Sequence, residues 1–581
     1  MPDERRQLGV LYRDFLSRMV DLELISPGGE MDKLLGQLVA ILAALSLVFA
    51  VMMAPRYFTS TLPRAVLMER AWGDEEFLIA TTMAIAGLFA VLAWNVVLPD
   101  RRESLVLAVL PVRPRTVALA KVAAIATALG IATLAVNIFT GLAFPFVAAP
   151  AEAGMLGVAR VFAAYWIAQM LAGAMVWGGL LAVQGVLAAT LSCRLFPRIS
   201  NGVQLAAFFG TLGAYFLQPP FSTAGFRNWA PSYWFFGLFQ TLSGTAVPQF
   251  RNWAARAGWG LAAVFAVAAV SFGCSYGRHL RRMVEQSDIS PSGARTASRL
   301  AAWAAGKMLR RPIDRAIVLF TARGLARSRE HRLLVAAYAG VGLAIALAYA
   351  KDLLYHSGAR WDRPNLPLLA ASLALVFFAV VGTRAVFTLP IAPRGNWIFR
   401  ITAVHSPAAY FAAARKALFA VSVWPSMAVF AVGFAAIWPP GAALRHVLLL
   451  ATAACLVAEI ALHRFVKLPF ACSYLPGKAN LNVKIGIYLI LLLFLGDGAT
   501  RVELWTLERD SRFAVLLGIV LAWTLWARRR TVTFAALPHH EVQFEDLPPQ
   551  PLEIIDLHKD GTGTGERRYL DDGEAWRTLS E

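Results

Sequence analysis

Charge is what this chain has little of. Only 16% of its 581 residues are Asp, Glu, Lys or Arg and 58% are hydrophobic, whereas soluble domains carry about a quarter charged residues. That is too little polar surface to dissolve a globule of this length, so lipid must cover much of it. Cysteine is also scarce: Cys193, Cys274, Cys455 and Cys472 lie far apart with no C-x-x-C spacing, which removes zinc-ribbon and dithiol chemistry and leaves them as small apolar residues. The phosphate-binding pattern G-x-x-x-x-G-K-[ST] is missing, because Gly306-Lys307-Met308 and Gly477-Lys478-Ala479 lack both the earlier glycine and the hydroxyl residue, so the chain is not expected to hydrolyse ATP. H-E-x-x-H is absent, and His539-His540-Glu541 lacks metal-ligand spacing. No catalytic residue and no metal site is nominated, and an enzyme is not expected.

What is present is a series of apolar runs between short polar loops. A helix of such a run, rising 1.5 Å per residue, crosses a hydrocarbon layer of roughly 30 Å. Twelve spans are expected: Leu34 to Met53, Phe77 to Leu98, Val122 to Phe146, Val161 to Leu191, Gly202 to Leu217, Ala257 to Cys274, Leu333 to Ala350, Leu366 to Gly382, Ala417 to Trp438, Val447 to Leu462, Ile485 to Gly496 and Phe513 to Trp526. The last pair is short, so ten spans plus a re-entrant hairpin is the other count. About thirty mostly polar residues precede the first run, an arrangement unlike a cleavable signal peptide.

The net charge of +19 would suggest nucleic acid in a soluble protein. Here the basic residues cluster in loops between spans, and a membrane surface is the better partner; nucleic acid is not expected. With both termini cytoplasmic, most Lys and Arg fall in loops on that side, as the positive-inside rule requires. The expected class is therefore an all-α, polytopic helical membrane protein, multi-pass in the cell (inner) membrane.

The chain reads as one plan written twice. Each half opens on an amphipathic basic stretch, Leu8 to Leu24 and Ile317 to Arg332, suited to lying flat at the interface. Two spans and a basic loop follow, Leu98 to Lys121 and Leu389 to Lys416, each ending where a long third span begins. Six spans per half is an even number, so the halves enter the membrane alike, as two parallel pseudo-repeats. The resulting division is 1–33 as an interfacial elbow, 34–276 as the first six-span half and 277–332 as a basic cytoplasmic linker with a second interfacial helix. Residues 333–527 form the second half, and 528–581 a tail expected to be disordered. Arg278 to Arg332 holds thirteen basic and four acidic residues.

One loop carries more information than the rest. Asp100 and Glu103 suit the N-terminal dipole of a short helix, Arg101 and Arg102 can meet carboxylates, and Val106, Val109 and Leu110 form an i, i+3, i+4 apolar stripe that Pro111 and Pro114 end. Pro99-Asp100-Arg101-Arg102-Glu103, then Leu105 to Leu110, Pro111-Val112-Arg113-Pro114-Arg115 and Lys121 opening the next span, resembles the type-2 ABC transporter permeases. The resemblance covers residues 1 to about 280 and the second half in outline. It implies an elbow helix before the first span, short re-entrant helices in the aromatic outer loop Gln218 to Arg256, and a coupling helix that docks on a separate ATPase subunit. It further implies two ATPase copies that bind ATP and Mg, this chain itself carrying no cofactor, and an exporter driven by alternating access. The coupling surface would be Asp100, Arg101, Arg102, Glu103, Arg113 and Arg115, with Arg394 and Arg400 in the second loop. With both halves fused, a homodimer is the lesser expectation.

Polar residues inside spans have two readings. Asn95, Asn137, Gln169, Gln184 and Gln204 line a substrate path or hold helices together by hydrogen bonds. Glu459, read as the only acid well inside a run, either serves a proton relay with His463 or pairs with Arg415 and Lys416 of the neighbouring span. Two other functional classes stand beside the ATP-driven permease: a membrane enzyme or scaffold acting on lipid-borne substrates, and an ion-coupled carrier.

Overall fold

A computed structural model describes residues 4–20, 31–58, 63–95, 112–149, 154–192, 195–218, 228–245, 247–285, 306–355, 360–391, 406–463, 465, 467–470, 496–535 and 537. Among them the chain is helical, without strands. Among the described residues ten helices are long and apolar enough to cross a membrane, and the protein is a multi-pass helical membrane protein.

The first half contains α1 (Glu4–Val20), α2 (Met31–Phe58), α3 (Arg64–Leu92), α4 (Pro114–Ala148), α5 (Gly154–Thr190), α6 (Phe196–Phe216), α7 (Pro231–Ser243) and α8 (Pro248–Glu285). Proline at the first or second helical position opens α4, α6 and α7, where its missing N–H would have no intrahelical partner anyway. Spans outrun their apolar runs: α8 has 38 residues, about 57 Å at 1.5 Å per residue, so it projects well beyond the bilayer.

The second half contains α9 (Pro312–Arg327), α10 (Arg329–Tyr355), α11 (Leu366–Val386), α12 (Pro407–Leu418), α13 (Trp424–Ile437), α14 (Pro440–Ala461), α15 (496–507) and α16 (Asp510–Ala535). The second amphipathic stretch thus starts earlier than its expected Ile317 and stops at Arg327, because Pro312 opens the helix and Ser328 is extended. A π-helical turn, Phe419–Val423, joins α12 to α13 immediately before Trp424-Pro425; the proline lacks the N–H that would continue the α ladder.

Ten of the twelve expected spans coincide with these membrane-length helices. The fifth is helical, as α6, but Arg198, Asn201 and Gln204 dilute its apolar character and it is not among the ten. The eleventh, 485–496, lies almost wholly outside the described residues, as do the linker 286–305, both basic loops at 96–111 and 392–405, and the tail beyond 537.

Helix neighbours recur in order. In the first half α1 packs on α4, α3 on α4 and α5, α4 on α5, α5 on α8, and α7 on α5. In the second, α9 packs on α12, α11 on α14, α13 on α14 and α14 on α16, and α15 reaches α14 through a Glu503–His446 contact. The first spans break the pattern: α2 lies on α4, whereas α10 lies on α11 and on α6 of the other half.

Candidate functional site

The first half has a polar centre built from four helices. Ser46 on α2 accepts the backbone N–H groups of Phe139 and Thr140, at 3.1 and 3.2 Å. Tyr165 on α5 places its hydroxyl 2.8 Å from Asn137 Oδ1 and 3.1 Å from Thr140 Oγ1. Asn137 Nδ2 in turn donates to Thr82 Oγ1 on α3 and to the Thr133 carbonyl, both at 2.9 Å. Serine and threonine hydroxyls otherwise bond back to their own helix, as Thr82 does to Leu78; here they also tie α2, α3, α4 and α5 together, the interhelical role such groups serve in lipid.

Two buried groups at this centre lack a well-formed hydrogen bond. Glu75 lies seven residues before Thr82, on the same face of α3, and is 0% exposed with both carboxyl oxygens unpartnered. Gln169, one turn beyond Tyr165 on α5, is 0% exposed, and its amide lies near the Tyr165 hydroxyl without well-formed hydrogen-bond geometry. Leaving such groups unmet costs about 1–3 kcal/mol each, more for a charged one. An ionisable side chain buried in a span is a candidate functional residue by default.

A cavity of about 170 Å³ lies beside this stripe, lined by Met68, Ala71, Trp72, Phe144, Phe239 and Ser243 among others. Trp72 Nε1 and Ser243 Oγ are also buried without partners. Its floor belongs to α7, whose Tyr233, Phe235, Phe236 and Phe239 are buried. Gly237 lets α7 approach α8: an added Cβ would stand 2.4 Å from Trp253 Cβ. Glu76, next to Glu75, is satisfied by Gln218, which also donates to Ser232 Oγ at 3.2 Å.

The other polar candidates meet helix ends. Gln184 Nε2 donates to the Trp94 carbonyl at 3.0 Å, and Asn95 closes the turn Ala93–Asn95 that follows α3. Gln204 donates to the Val91 carbonyl at 2.7 Å and accepts from Arg329 Nη2 at 2.8 Å, which bridges the two halves. The same seam, α6 against α10, is close-packed at Gly340, where a Cβ would meet Phe208 at 2.6 Å, and is held at its other end by the Tyr355 hydroxyl on the Leu217 carbonyl, 2.8 Å away.

In the second half Glu459 pairs with Arg415 at 3.1 Å, while His463 sets its ring 5.8 Å from Phe534. Glu459 is not the only acid inside a span, since Glu75 and Glu76 lie within the apolar helix Val66–Leu92. The α3 helix begins thirteen residues before Phe77, where the apolar run was expected to start. Sequence reasoning also missed Ser372, His446 and Glu503. His446 is 0% exposed, with Nδ1 2.6 Å from Glu503 Oε1 and Nε2 3.1 Å from Ser372 Oγ. The order of groups suggests acyl transfer, but Ser372 is 1% exposed and also bonds the Leu369 carbonyl at 2.9 Å, so its role is to pin α11, α14 and α15 together.

The root of the first basic loop is locked to the elbow. Phe15 of α1 is buried among Val117, Ala120 and Ala124 of α4, a contact worth about 2 kcal/mol for the ring. Tyr12 donates to Thr127 at 3.1 Å, Lys121 Nζ stands 5.0 Å from the Phe15 ring centre, and Arg113 pairs with Glu4 at 2.6 Å. Arg115 is exposed beside them. Asp100, Arg101, Arg102, Glu103, Arg394 and Arg400 lie outside the described residues. No group of three or more His, Cys, Asp or Glu suited to a metal ion occurs among the described residues.

No family model matches this chain, no curated protein is significantly similar to it, and no solved structure matches it.

Proposed function

We propose that this protein is the membrane-spanning permease subunit of an ATP-driven transporter of the type-2 ABC kind, an exporter working by alternating access between two six-helix halves. A separate cytoplasmic ATPase, in two copies carrying ATP and Mg, drives it through the basic loops 96–113 and 392–405, with both termini in the cytoplasm and the chain in the cell membrane. The observation that carries this reading is the docking of an amphipathic helix on the first turns of each third span, α1 on α4 and α9 on α12. A loop rooted in two spans and braced by such a helix passes on a partner's movement, whereas an unbraced loop absorbs it. The recurrent neighbour order of the halves and the buried helix α7 before the last span of the first half support the same architecture. The test is co-purification of the full chain with candidate ATPase subunits and replacement of Arg101, Arg102, Arg113 and Arg115 by Ala. Loss of association and of ATP-driven transport is expected; undiminished association would refute the coupling surface.

Glu75 favours a second reading, an ion-coupled carrier, because a buried carboxyl without a partner suits a passing cation. In nucleotide-free proteoliposomes such a carrier would move substrate under a pH gradient and would lose that activity in Glu75→Gln. The ATP-driven reading expects no transport there.

A further inference from the structure

At one end of the second half, where the first turns of α12, the last turn of α14 and the last turns of α16 meet, lies a cavity of about 250 Å³. Its walls are of two kinds. Phe411, Phe465 and Phe534 make it apolar, and Arg415, Lys416 and Arg528 ring it with cations. Two of those cations have acidic partners: Arg415 has Glu459, and Lys416 has Asp314 of the amphipathic helix α9. Arg528 is exposed, makes no direct ion pair among the described residues, and shares the field of Glu459 with Arg415, so three cations face two acids. Charge at the mouth therefore exceeds what the protein neutralises, and Arg529 and Arg530 follow on the same helix.

From this combination we infer that the cavity is a binding site for one anionic phospholipid, its phosphate at Arg528 and its acyl chains along the phenylalanine walls. Three membrane-length helices end at the cavity, so it sits where headgroups sit, and a basic pocket between helix ends on the positively charged side is suited to an anionic headgroup. Val532 beside the mouth is 52% exposed, open to lipid. A zwitterionic headgroup would bring its own cation against Arg528, and free phosphate would leave the aromatic walls unused. The inference rests on the spanning helices alone and is independent of the transport reading.

The test uses the full chain, purified and delipidated in a non-ionic detergent, with retained lipid counted by native mass spectrometry. It is titrated with dioleoyl phosphatidylglycerol, dioleoyl phosphatidylcholine and inorganic phosphate. One phosphatidylglycerol per chain is expected, at least tenfold tighter than phosphatidylcholine. Arg528→Gln should weaken phosphatidylglycerol about fivefold, the scale of one basic residue near an anionic headgroup, and leave phosphatidylcholine unchanged. Val532→Trp, which fills the mouth without altering charge, should also lower phosphatidylglycerol retention and decides the matter should Arg528→Gln fail to fold. Equal binding of the two lipids, or retention unchanged in either variant, would overturn the proposal. So would displacement of phosphatidylglycerol by inorganic phosphate, which would make this a free-phosphate site.

Discussion

The two halves dock the same kind of helix on the same span but differ in how deeply the joining ion pair is buried. In the first, the ion pair between elbow and third span, Glu4 with Arg113, stands in solvent with side chains 61% and 71% exposed, and apolar packing around Phe15 does the holding. In the second, Ile317 and Val318 of α9 belong to one buried cluster with Tyr410, Ala413 and Ala414 of α12, and the ion pair has a buried acid, Asp314 being 3% exposed against Lys416 at 40%. The same span also meets α14 through Glu459, 3% exposed, and Arg415, 23% exposed. Exposed pairs add little because water and salt screen them; buried pairs hold their geometry because breaking one strands a charge. Both joints are thus held by apolar contact, and the second adds a buried acid that must keep its cation.

Third spans differ as well. In the first half α4 is continuous from Pro114 to Ala148, whereas α12 and α13 are parted by the π-helical turn Phe419–Val423. Phe470 adds to the rigidity of the second half. It adopts a left-handed φ of 64°, packs against Phe320, His331 and Phe387, and exchanges backbone hydrogen bonds with Phe387 and Ile391. A phenylalanine held in that region is strained by about 1–3 kcal/mol, so its surroundings must over-determine it.

The largest effect that would break this contrast is Arg415→Ala. It leaves Glu459 buried without its ion-pair partner and should cost about 3 kcal/mol, read as a fall of several degrees in the thermal midpoint of the purified protein. A midpoint unchanged from wild type would show that the buried acids around α12 do not depend on their cations. Gly340→Leu comes next: it drives a side chain into Phe208 and Leu212 at the seam between halves, an overpacking worth about 2 kcal/mol, and should lower both the midpoint and transport. Unaltered transport would mean that the seam does not move or does not matter.

Arg113→Ala should change stability by less than about 1 kcal/mol, and raising salt should erase the difference. A loss as large as that of Arg415→Ala would show that the exposed pair holds as firmly as one with a buried acid. Smallest is the loop before α11. Hydrogen bonds from Arg360, at 3.2 and 3.3 Å, hold the Asp362 carboxyl below the ordinary aspartate value. A depressed folded value stabilises above the unfolded value and ceases to as pH falls through the depressed one. Arg360→Ala should therefore match wild type at low pH and fall slightly short of it at neutral pH; a deficit growing on acidification would reverse the sign.

Most spans were legible because lipid imposes a length of apolar chain on each one. Their ends were not. Packing, caps and prolines decide where helices stop: Asn365 accepts from the Leu368 N–H to start α11, and Trp438 turns extended to end α13, neither of which hydropathy registers. Glu75 was missed for a related reason. Its neighbours Asp74 and Glu76 make it look like the polar foot of a run, and only α5 and α7 closing over α3 bury it. Asp74 itself, 14% exposed, is satisfied by Arg56 and Tyr57. An acid triplet abutting an apolar run, just after a tryptophan, was the available signal. Ser372, His446 and Glu503 come from three separate elements, Ser372 lying 74 residues before His446, and nothing local announces their meeting. Polar residues within runs, Asn137, Gln184 and Gln204, were visible as candidates because each is rare there, but their partners, among them the Thr82 hydroxyl, the Trp94 and Val91 carbonyls and the Arg329 guanidinium, come mostly from distant segments.

Coupling of the halves to an external ATPase is tested most directly by distance. Spin labels at Val10→Cys on α1 and Arg323→Cys on α9, in a background with the native cysteines replaced, report the separation of the two elbows in proteoliposomes by double electron–electron resonance. The account predicts a shift of several ångströms when ATP is added with the ATPase present and none with ATP alone. An unchanged distribution in the complete, ATP-hydrolysing complex would contradict it.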